Sequence, residues 1–114
     1  MIRTRRIYDP PSPDDGYRLL VMRLWPRGIK KAAVDGWEKD LGPSRELLTS
    51  FQTGKLSWED LAVRYREEMS ARGELLERYR DLAGRRTLTL LCSCPDETHC
   101  HRSLLKEILE ANTR

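Results

Sequence analysis

The sequence contains no apolar run that approaches the roughly 18 to 20 residues needed to cross a bilayer. This absence excludes a transmembrane segment, and no apolar N-terminal stretch resembles a secretory signal peptide. Three cysteines in 114 residues cannot form an even disulfide framework. We therefore expect a cytoplasmic protein whose thiols stay reduced.

The excess of positive charge is also small. The 21 basic and 18 acidic residues leave a formal net charge of +3, too little to indicate nucleic-acid binding by itself. No internal repeat and no linker divides the chain, so a single domain over residues 1–114 is expected. A chain of this length can bury about two-thirds of its unfolded surface without a metal or a disulfide. A metal is therefore optional for folding.

Three segments carry the pattern of β-strands. Residues 2–8 alternate weakly, as in an edge strand, and residues 17–25 are apolar almost without alternation, as in a strand covered on both faces. Residues 86–94 also have the pattern of a strand, which Pro95 ends. Between the first two strands, residues 9–16 contain three prolines, three aspartates and one glycine, a composition typical of turns.

Other apolar residues recur at helical spacing. Helices are predicted at residues 44–52, 57–69 and 74–83, with one helical turn at residues 35–41. A last helix is predicted after Thr98 or Asp96 as its cap, with a buried face of Leu104, Leu105, Ile108 and Leu109. Ser44 and Ser57 are suitable N-caps, and Asp60 supplies the acidic residue of a capping box after Ser57. Gly84 follows the third helix and is expected to end it.

The connections between these elements predict the topology. The turn at residues 9–16 is too short for a crossover, so the first two strands are either antiparallel or not neighbours. About sixty mostly helical residues separate the second and third strands, which allows a right-handed crossover between parallel strands. The sequence therefore predicts an α/β fold: a small, mainly parallel sheet of about three or four strands with helices packed on it. Since ligands bind at the C-terminal edge of such a sheet, residues 25–28 (WPRG) and 92–102 (CSCPDETHCHR) should come close together.

Several segments, in order and spacing, match a known family. Residues 23–28 (RLWPRG) are the most specific match. Less specific matches are Lys31, Trp37, residues 42–44 (GPS), Phe51, Trp58 and residues 65–68 (YREE). In these residues the chain resembles the YeaO-like family, which is domain of unknown function number 488. The resemblance implies a small α/β domain of bacterial, cytosolic type and no established reaction.

The chain departs from the family pattern at two places. Met22 stands where many members carry an aspartate, so any role of that carboxylate is absent here. Cys92, Cys94 and residues 100–102 (CHR) replace the alanine-rich and asparagine-containing sequence of the YeaO branch, and resemble a Cys and Cys-His-Arg signature of other branches. His99 matches a histidine of the family near this point, which favours it over His101 as the functional imidazole.

All cysteines and histidines lie within ten positions, residues 92–101, where they suggest a metal site. Structural zinc sites usually pair ligands as C-x2-4-C, whereas this segment offers C-x-C and C-x5-C. His99, Cys100 and His101, as consecutive helical positions, would point about 100° apart, so no more than two of them converge easily. The spacing therefore predicts no metal ligands and no cofactor, with a structural zinc protein as an alternative.

An activated thiol is the second interpretation of this segment. If Thr98 caps the last helix, Cys100 lies at its second residue, where the helix dipole and Arg102 favour the thiolate; Asp96 is the other possible cap. Cys94 lies at the end of a strand, facing the edge where ligands bind. The candidate catalytic residues are Cys94, Cys100, His99 and His101, with a histidine as general acid or base. The alternative is that the cysteines are small buried apolar residues.

An anion site is the third interpretation. Arg102 and the unpaired N–H groups of the helix start can receive a phosphate or a carboxylate. Arg23 and Arg27 are expected at the same edge, with Trp25 to stack on a ring and Gly28 to allow close approach of the backbone. The alternative is that Trp25 belongs to the core and that Arg27 forms a surface ion pair.

These interpretations lead to competing functions. The first is an enzyme that acts on a small anionic molecule at the edge formed by the WPRG and CSCPDETHCHR segments. Its substrate would carry a phosphate or a carboxylate, as a nucleotide-like molecule does. The alternatives are a non-catalytic ligand-binding or regulatory module, a structural zinc protein, and a nucleic-acid-binding module that uses Arg3, Arg5, Arg6 and the WPRG arginines. A low pKa of Cys94 or Cys100 would favour the enzyme. A steep salt dependence of DNA or RNA binding would favour the nucleic-acid-binding module. No membrane partner is expected, and the sequence leaves the substrate and the oligomeric state open.

Overall fold

One sheet of four parallel strands organises the computed structural model, which describes residues 1–111. The strands are β1 (Ile2–Arg6), β2 (Tyr17–Leu20), β3 (Gly36–Trp37) and β4 (Leu88–Cys92). Their order across the sheet is β1-β4-β2-β3, and each neighbouring pair is parallel. The predicted α/β fold with a small, mainly parallel sheet is confirmed. Of the predicted single domain, residues 112–114 lie outside the described residues.

The helices pack on one face of this sheet. They are α1 (Arg45–Gln52), α2 (Trp58–Ser70), α3 (Gly73–Arg85) and α4 (His101–Ala111). Leu19 and Leu90 of the central strands are fully buried against Tyr65 of α2 and Leu105 of α4. The predicted N-caps are confirmed, because the side chain of Ser44 accepts the N–H of Leu47 at the start of α1 and that of Ser57 accepts an N–H at the start of α2. Gly84 lies inside α3 and does not end it, which corrects the prediction.

The strand predicted at residues 17–25 ends at Leu20 in the structure. Val21 still donates its N–H to the carbonyl of Leu91, at 3.0 Å, and the chain then leaves the sheet. Trp25 and Ile29 fold back over the second face of the sheet, where they cover Leu20 and Leu91. The apolar residues that look like a continuing strand are therefore a loop that takes the place of a helical layer.

The next segment also differs from the prediction. Residues 35–41 were expected to form one helical turn, but Gly36–Trp37 form the edge strand β3 beside β2. A 3-10 turn follows at Lys39–Leu41. The sequence pattern missed β3 because two residues are too few to show alternation.

Strand β4 lies between β1 and β2. The first two strands are therefore parallel and not neighbours, which was one of the two predicted alternatives. The predicted parallel pairing of the second and third strands is also confirmed, as β2 and β4.

The last helix begins later than predicted. The side chain of Asp96 accepts the N–H of Thr98 and caps a 3-10 turn at Glu97–His99. Cys100 is extended, with φ −136° and ψ 139°, and α4 begins only at His101. The predictions that Cys100 is the second residue of a helix, and that residues 99–101 are consecutive helical positions, are therefore wrong. Within residues 1–111, none of the helices combines the length and the apolar character that a membrane span requires.

Candidate functional site

A cavity of about 360 Å³ lies beyond the C-terminal ends of β2 and β4. The start of α4, the loop after β2 and helices α1 and α2 complete its wall. Its lining residues are Met22, Arg23, Leu24, Pro43, Leu48, Phe51, Gln52, Leu61, Cys92, Ser93, Cys94, His99, Cys100 and His101. The cavity therefore occupies the edge where parallel sheets bind ligands.

Three buried side chains converge at this cavity. A sulfur or ring nitrogen of each of Cys92, Cys100 and His101 lies within 4.8 Å of those of the other two. Cys92 is the last residue of β4 and follows Leu88 and Leu90 on the face that the helices cover. Because α4 begins at His101 above this strand end, the strand and the helix bring the side chains together.

His101 is held in one orientation. Its Nε2 lies 2.5 Å from the carbonyl oxygen of Val21, and its Nδ1 lies 4.0 Å from the sulfur of Cys92. A carbonyl accepts only, so the hydrogen bond assigns the ring proton to Nε2. The lone pair of Nδ1 therefore faces the Cys92 thiol.

Cys92 and Cys100 titrate as a pair. A hydrogen bond from the Cys100 thiol lowers the pKa of Cys92 and outweighs its burial; His101 and the N–H of Cys94 act in the same direction. The same hydrogen bond raises the pKa of Cys100, although Arg102 opposes this effect. The pair therefore loses its first proton easily and holds the second tightly.

Arg102 lies behind the thiols and does not line the cavity. Its side chain is buried, and Nη1 donates to the carbonyl of Cys94 at 2.7 Å and to the sulfur of Cys100 at 3.5 Å. Its Nε is buried without a hydrogen-bond partner, and no ion pair joins it to a carboxylate of residues 1–111. Arg102 therefore places a positive charge beside the thiols. The predicted direct contact of Arg102 with a ligand does not fit this position, because its side chain does not line the cavity.

Arg23 is the predicted anion-binding arginine that does line the cavity. Its guanidinium is already engaged, at 3.0 Å from Asp40 and with hydrogen bonds to the carbonyls of Gly42 and Pro43. These bonds fasten the loop after β2 to the start of α1. Arg23 therefore contributes a fixed charge to the wall, and a bound anion would have to share its donors.

None of the WPRG residues (25–28) lines the cavity. Trp25 packs edge-to-face on Trp37, with ring centroids 5.3 Å apart, and donates its indole N–H to Ile29. Arg27 is exposed, and Gly28 occupies a turn with φ 79° where a Cβ would meet no atom within 4 Å. Met22, Arg23 and Leu24 line the cavity with the cysteine segment, but residues 25–28 do not, because Trp25 and Ile29 pack on the opposite face of the sheet. The predicted contact of Trp25, Arg27 and Gly28 with this edge is therefore corrected to Arg23 and Leu24.

Cys94 and His99 lie at the rim. The Cys94 sulfur is close to the carbonyls of Asp96 and His99, at 3.5 and 3.6 Å. His99 is exposed, with Nδ1 2.8 Å from an Asp96 carboxylate oxygen and its ring 5.3 Å from that of Trp58. Bonds from Thr98 and His99 lower the pKa of Asp96 to about 2. Neither rim residue belongs to the converging set.

The sequence-based candidates omitted Cys92, which is central to the cluster. One signal was available, because Cys92 continues the alternation of Leu88 and Leu90 toward the helices and ends a central strand. His101 was among the sequence-based candidates, but its pairing with Cys92 could not be predicted, since that pairing depends on where α4 begins.

The basic N-terminal residues bond to their own chain. Arg3 donates to the carbonyl of Asp14, and Arg6 donates to that of Ser93. Arg5 donates to the carbonyl of Pro10 and contacts Asp15. These guanidinium groups therefore hold the first strand to the turn that follows it and to the segment after β4. Nucleic-acid binding through them stays a prediction.

Comparisons with known proteins agree with the resemblance seen in the sequence. A family model described as "Active DUF488-N3 subclade" matches residues 2–113. The chain is 38% identical over 112 residues to "Uncharacterized protein YeaO" of Escherichia coli (strain K12), which covers 96% of this chain and 97% of that protein. It is 36% identical over 110 residues to "Uncharacterized protein Mb3100c" of Mycobacterium bovis and "Uncharacterized protein Rv3073c" of Mycobacterium tuberculosis, covering 95% of this chain and 92% of each relative. No solved structure matches significantly. The chain therefore belongs to the YeaO-like DUF488 family.

Proposed function

We propose that this protein is a thiol-dependent enzyme that acts on a small anionic molecule bound in the cavity. The observation that carries the proposal is the arrangement of Cys92 and His101, with Nδ1 at 4.0 Å from the sulfur and Nε2 tied to the carbonyl of Val21. A nucleophile, a base beside it and a third group that orients the base are the parts that nucleophilic catalysis requires. The cytoplasm is the proposed compartment, because there the thiols stay reduced.

In this proposal the sulfur of Cys92 attacks an electrophilic carbon of the substrate. The carbon–sulfur bond forms while the bond to the leaving group breaks with its electron pair, and His101 passes the thiol proton from Nδ1 to the leaving group. Water then attacks the same carbon, His101 accepts a proton from it, and the Cys92 sulfur leaves as the thiolate. Transfer of that proton from His101 to the sulfur restores the thiol and the neutral imidazole. Cys100 and Arg102 support the negative charge on the sulfur through their hydrogen bonds.

The charges around the cavity favour an anionic substrate. No aspartate or glutamate is among its lining residues within the described chain, whereas Arg23 lines it and Arg102 lies directly behind the Cys100 sulfur. Much of the remaining wall is apolar, which strengthens the field of these charges inside the cavity. A phosphate- or carboxylate-bearing molecule of small size, including a nucleotide-like one, fits this environment.

Alkylation of metal-free, reduced protein tests the proposal. Iodoacetamide should modify Cys92 or Cys100 below pH 7, where an ordinary thiol, with a pKa of about 8.5, reacts slowly. His101→Gln should slow this reaction at least about tenfold, because it removes the base. His99→Gln is the matched control and should leave the rate unchanged. Peptide mass spectrometry identifies the modified residue.

The charge of the reagent tests the substrate class in the same experiment. The ratio of the alkylation rate with iodoacetate to the rate with iodoacetamide should be higher at the cavity thiol than for free glutathione. A ratio equal to that of glutathione would remove the preference for anions. If no thiol of the folded protein reacts faster than glutathione, the catalytic proposal fails and a non-catalytic binding module takes its place.

A further inference from the structure

The converging side chains also have the composition of a metal site. Thiolate sulfur and neutral imidazole nitrogen are the ligands that Zn²⁺ prefers, and a tetrahedral zinc ion places neighbouring ligand atoms about 3.6–3.8 Å apart. Cys92 Sγ and His101 Nδ1 are 4.0 Å apart, and Cys100 completes a set whose donor atoms all lie within 4.8 Å. Side-chain shifts of about an ångström or less would close these distances around one ion.

The second observation is the hydrogen bond of His101 on the side away from the sulfurs. Nε2 donates to the carbonyl of Val21 at 2.5 Å, which leaves the Nδ1 lone pair directed at the cluster. Metal-binding histidines characteristically donate their other ring N–H to a carbonyl or a carboxylate, which fixes both tautomer and ring plane. The imidazole is therefore already in the state that a metal needs, before any metal binds.

We propose that Cys92, Cys100 and His101 bind one Zn²⁺ ion, with the fourth coordination position open to the cavity. Each of these residues lines the cavity, so an ion between them is reached from that side. The sequence spacing pointed away from this site because it grouped His99 with Cys100 and His101, whereas the structure brings in Cys92 from the end of β4. The zinc site does not depend on catalysis. Bound zinc would occupy the sulfur lone pairs, so the thiol chemistry proposed above belongs to the metal-free protein, and zinc would inhibit it.

Zinc titration of the reduced, metal-free protein against a chromogenic chelator tests the site. We expect one ion per chain. Loss of a partner outside the ligand shell already weakens metal sites by about 10- to 100-fold, so Cys92→Ser, Cys100→Ser and His101→Gln should each raise Kd by about 100-fold or more. Cys94→Ser and His99→Gln are the matched controls from the rim and should change Kd less than about threefold. Circular dichroism checks that each variant is folded.

Cobalt provides a readout of the ligands themselves. Co²⁺ bound at the site should give a sulfur-to-cobalt charge-transfer band, which Cys92→Ser and Cys100→Ser should each reduce by about half because the band scales with the number of thiolates. Failure of the wild-type protein to bind, or binding with equal strength after loss of Cys92 or Cys100, would overturn the proposal. A band undiminished in both serine variants would overturn it as well.

Alkylation separates this proposal from the catalytic one. Zinc should protect Cys92 and Cys100 from iodoacetamide in proportion to occupancy, and a chelator should restore the rate. Fast alkylation in chelator without zinc binding would leave the enzyme proposal standing and remove the metal site. Zinc binding together with slow alkylation in chelator would leave the metal site standing and remove the enzyme proposal.

Discussion

Arg102, the second residue of α4, has a buried side chain beside the thiols. It carries a buried charge without a carboxylate partner among the described residues, and two of its contacts are the carbonyl of Cys94 and the sulfur of Cys100. A buried cation beside a thiol stabilises the thiolate form. Its expected effect is therefore on the thiols and only through them on a ligand.

Arg102→Met should slow alkylation of the Cys92/Cys100 pair at neutral pH by about tenfold or more, since a hydrogen bond to a charged group contributes about 1.5–3 kcal/mol. Methionine is preferred to alanine because the side chain is buried and truncation would leave a void. The measurement is the rate of iodoacetamide modification against pH, whose midpoint should rise.

Arg80→Met is the matched control, because Arg80 is also buried and bonds to carbonyls near the far end of α4. It should reduce stability without moving the pH midpoint. Equal midpoints in wild type and Arg102→Met would mean that Arg102 only packs.

At the scale of elements, the site depends on where the end of β2 meets the start of α1. A Cβ at Gly42 would lie 2.6 Å from the backbone nitrogen of Arg23 and 3.2 Å from the carbonyl oxygen of Val21. That carbonyl is the acceptor that orients His101. Close contact between two backbone segments therefore sets the direction of the imidazole.

Gly42→Ala should force these segments apart and destabilise the protein by about 1–3 kcal/mol, the usual cost of overpacking. It should also slow alkylation of Cys92, because His101 loses its fixed acceptor. Urea unfolding and alkylation rates measure the two effects.

Gly84→Ala is the control, since Gly84 lies within α3 and a Cβ there meets no atom within 4 Å. This change should raise stability by up to about 1 kcal/mol and leave alkylation unchanged. A Gly42→Ala protein as stable and as reactive as wild type would show that the segments can separate without consequence.

At the scale of the whole molecule, one buried residue, Asp15, joins three strands. Asp15 accepts the N–H of Ser12 and contacts Arg5 of β1 and Arg18 of β2. Its carbonyl accepts the hydroxyl of Thr89 on β4 at 2.6 Å. Burial acts to raise the pKa of Asp15, but the hydrogen bonds of Ser12 and Arg18 and the charge of Arg5 outweigh it and lower the pKa.

A carboxylate with a lowered pKa in the folded state stabilises the fold above its unfolded value of about 3.9, and this stability is lost as pH falls through the folded pKa. Asp15→Asn should therefore lower the free energy of unfolding by about 3 kcal/mol near pH 7, because it leaves buried arginine charge unpaired. The difference from wild type should narrow below about pH 4.

Asp14→Asn is the matched control, because Asp14 is exposed in the same turn. It should change stability by less than about 0.5 kcal/mol at either pH. Urea unfolding at both pH values provides the data, and a difference for Asp15→Asn that stays constant down to pH 3 would contradict the assignment.

Much of the architecture could be predicted from local patterns. Continuous apolar segments indicated the central strands, serine N-caps marked where α1 and α2 begin, and the length of the connection allowed β2 and β4 to be parallel in one sheet. The errors were local as well. The apolar residues after Leu20 resemble a strand whether they pair in a sheet or cover one, so the pattern could not distinguish these outcomes.

The sequence by itself determined the fold class, the family and the edge of the sheet at which a site would lie, because hydrophobic period, capping residues and chain length act locally or through topology. Only the tertiary structure decided which residues meet there. Cys92 lines the cavity, whereas Trp25, Arg27 and Gly28 do not, and Arg102 lies behind the thiols. The physical reason is that a shift of two residues at the start of α4, or a crossing of the loop to the other face after Leu24, redirects side chains without changing any sequence pattern.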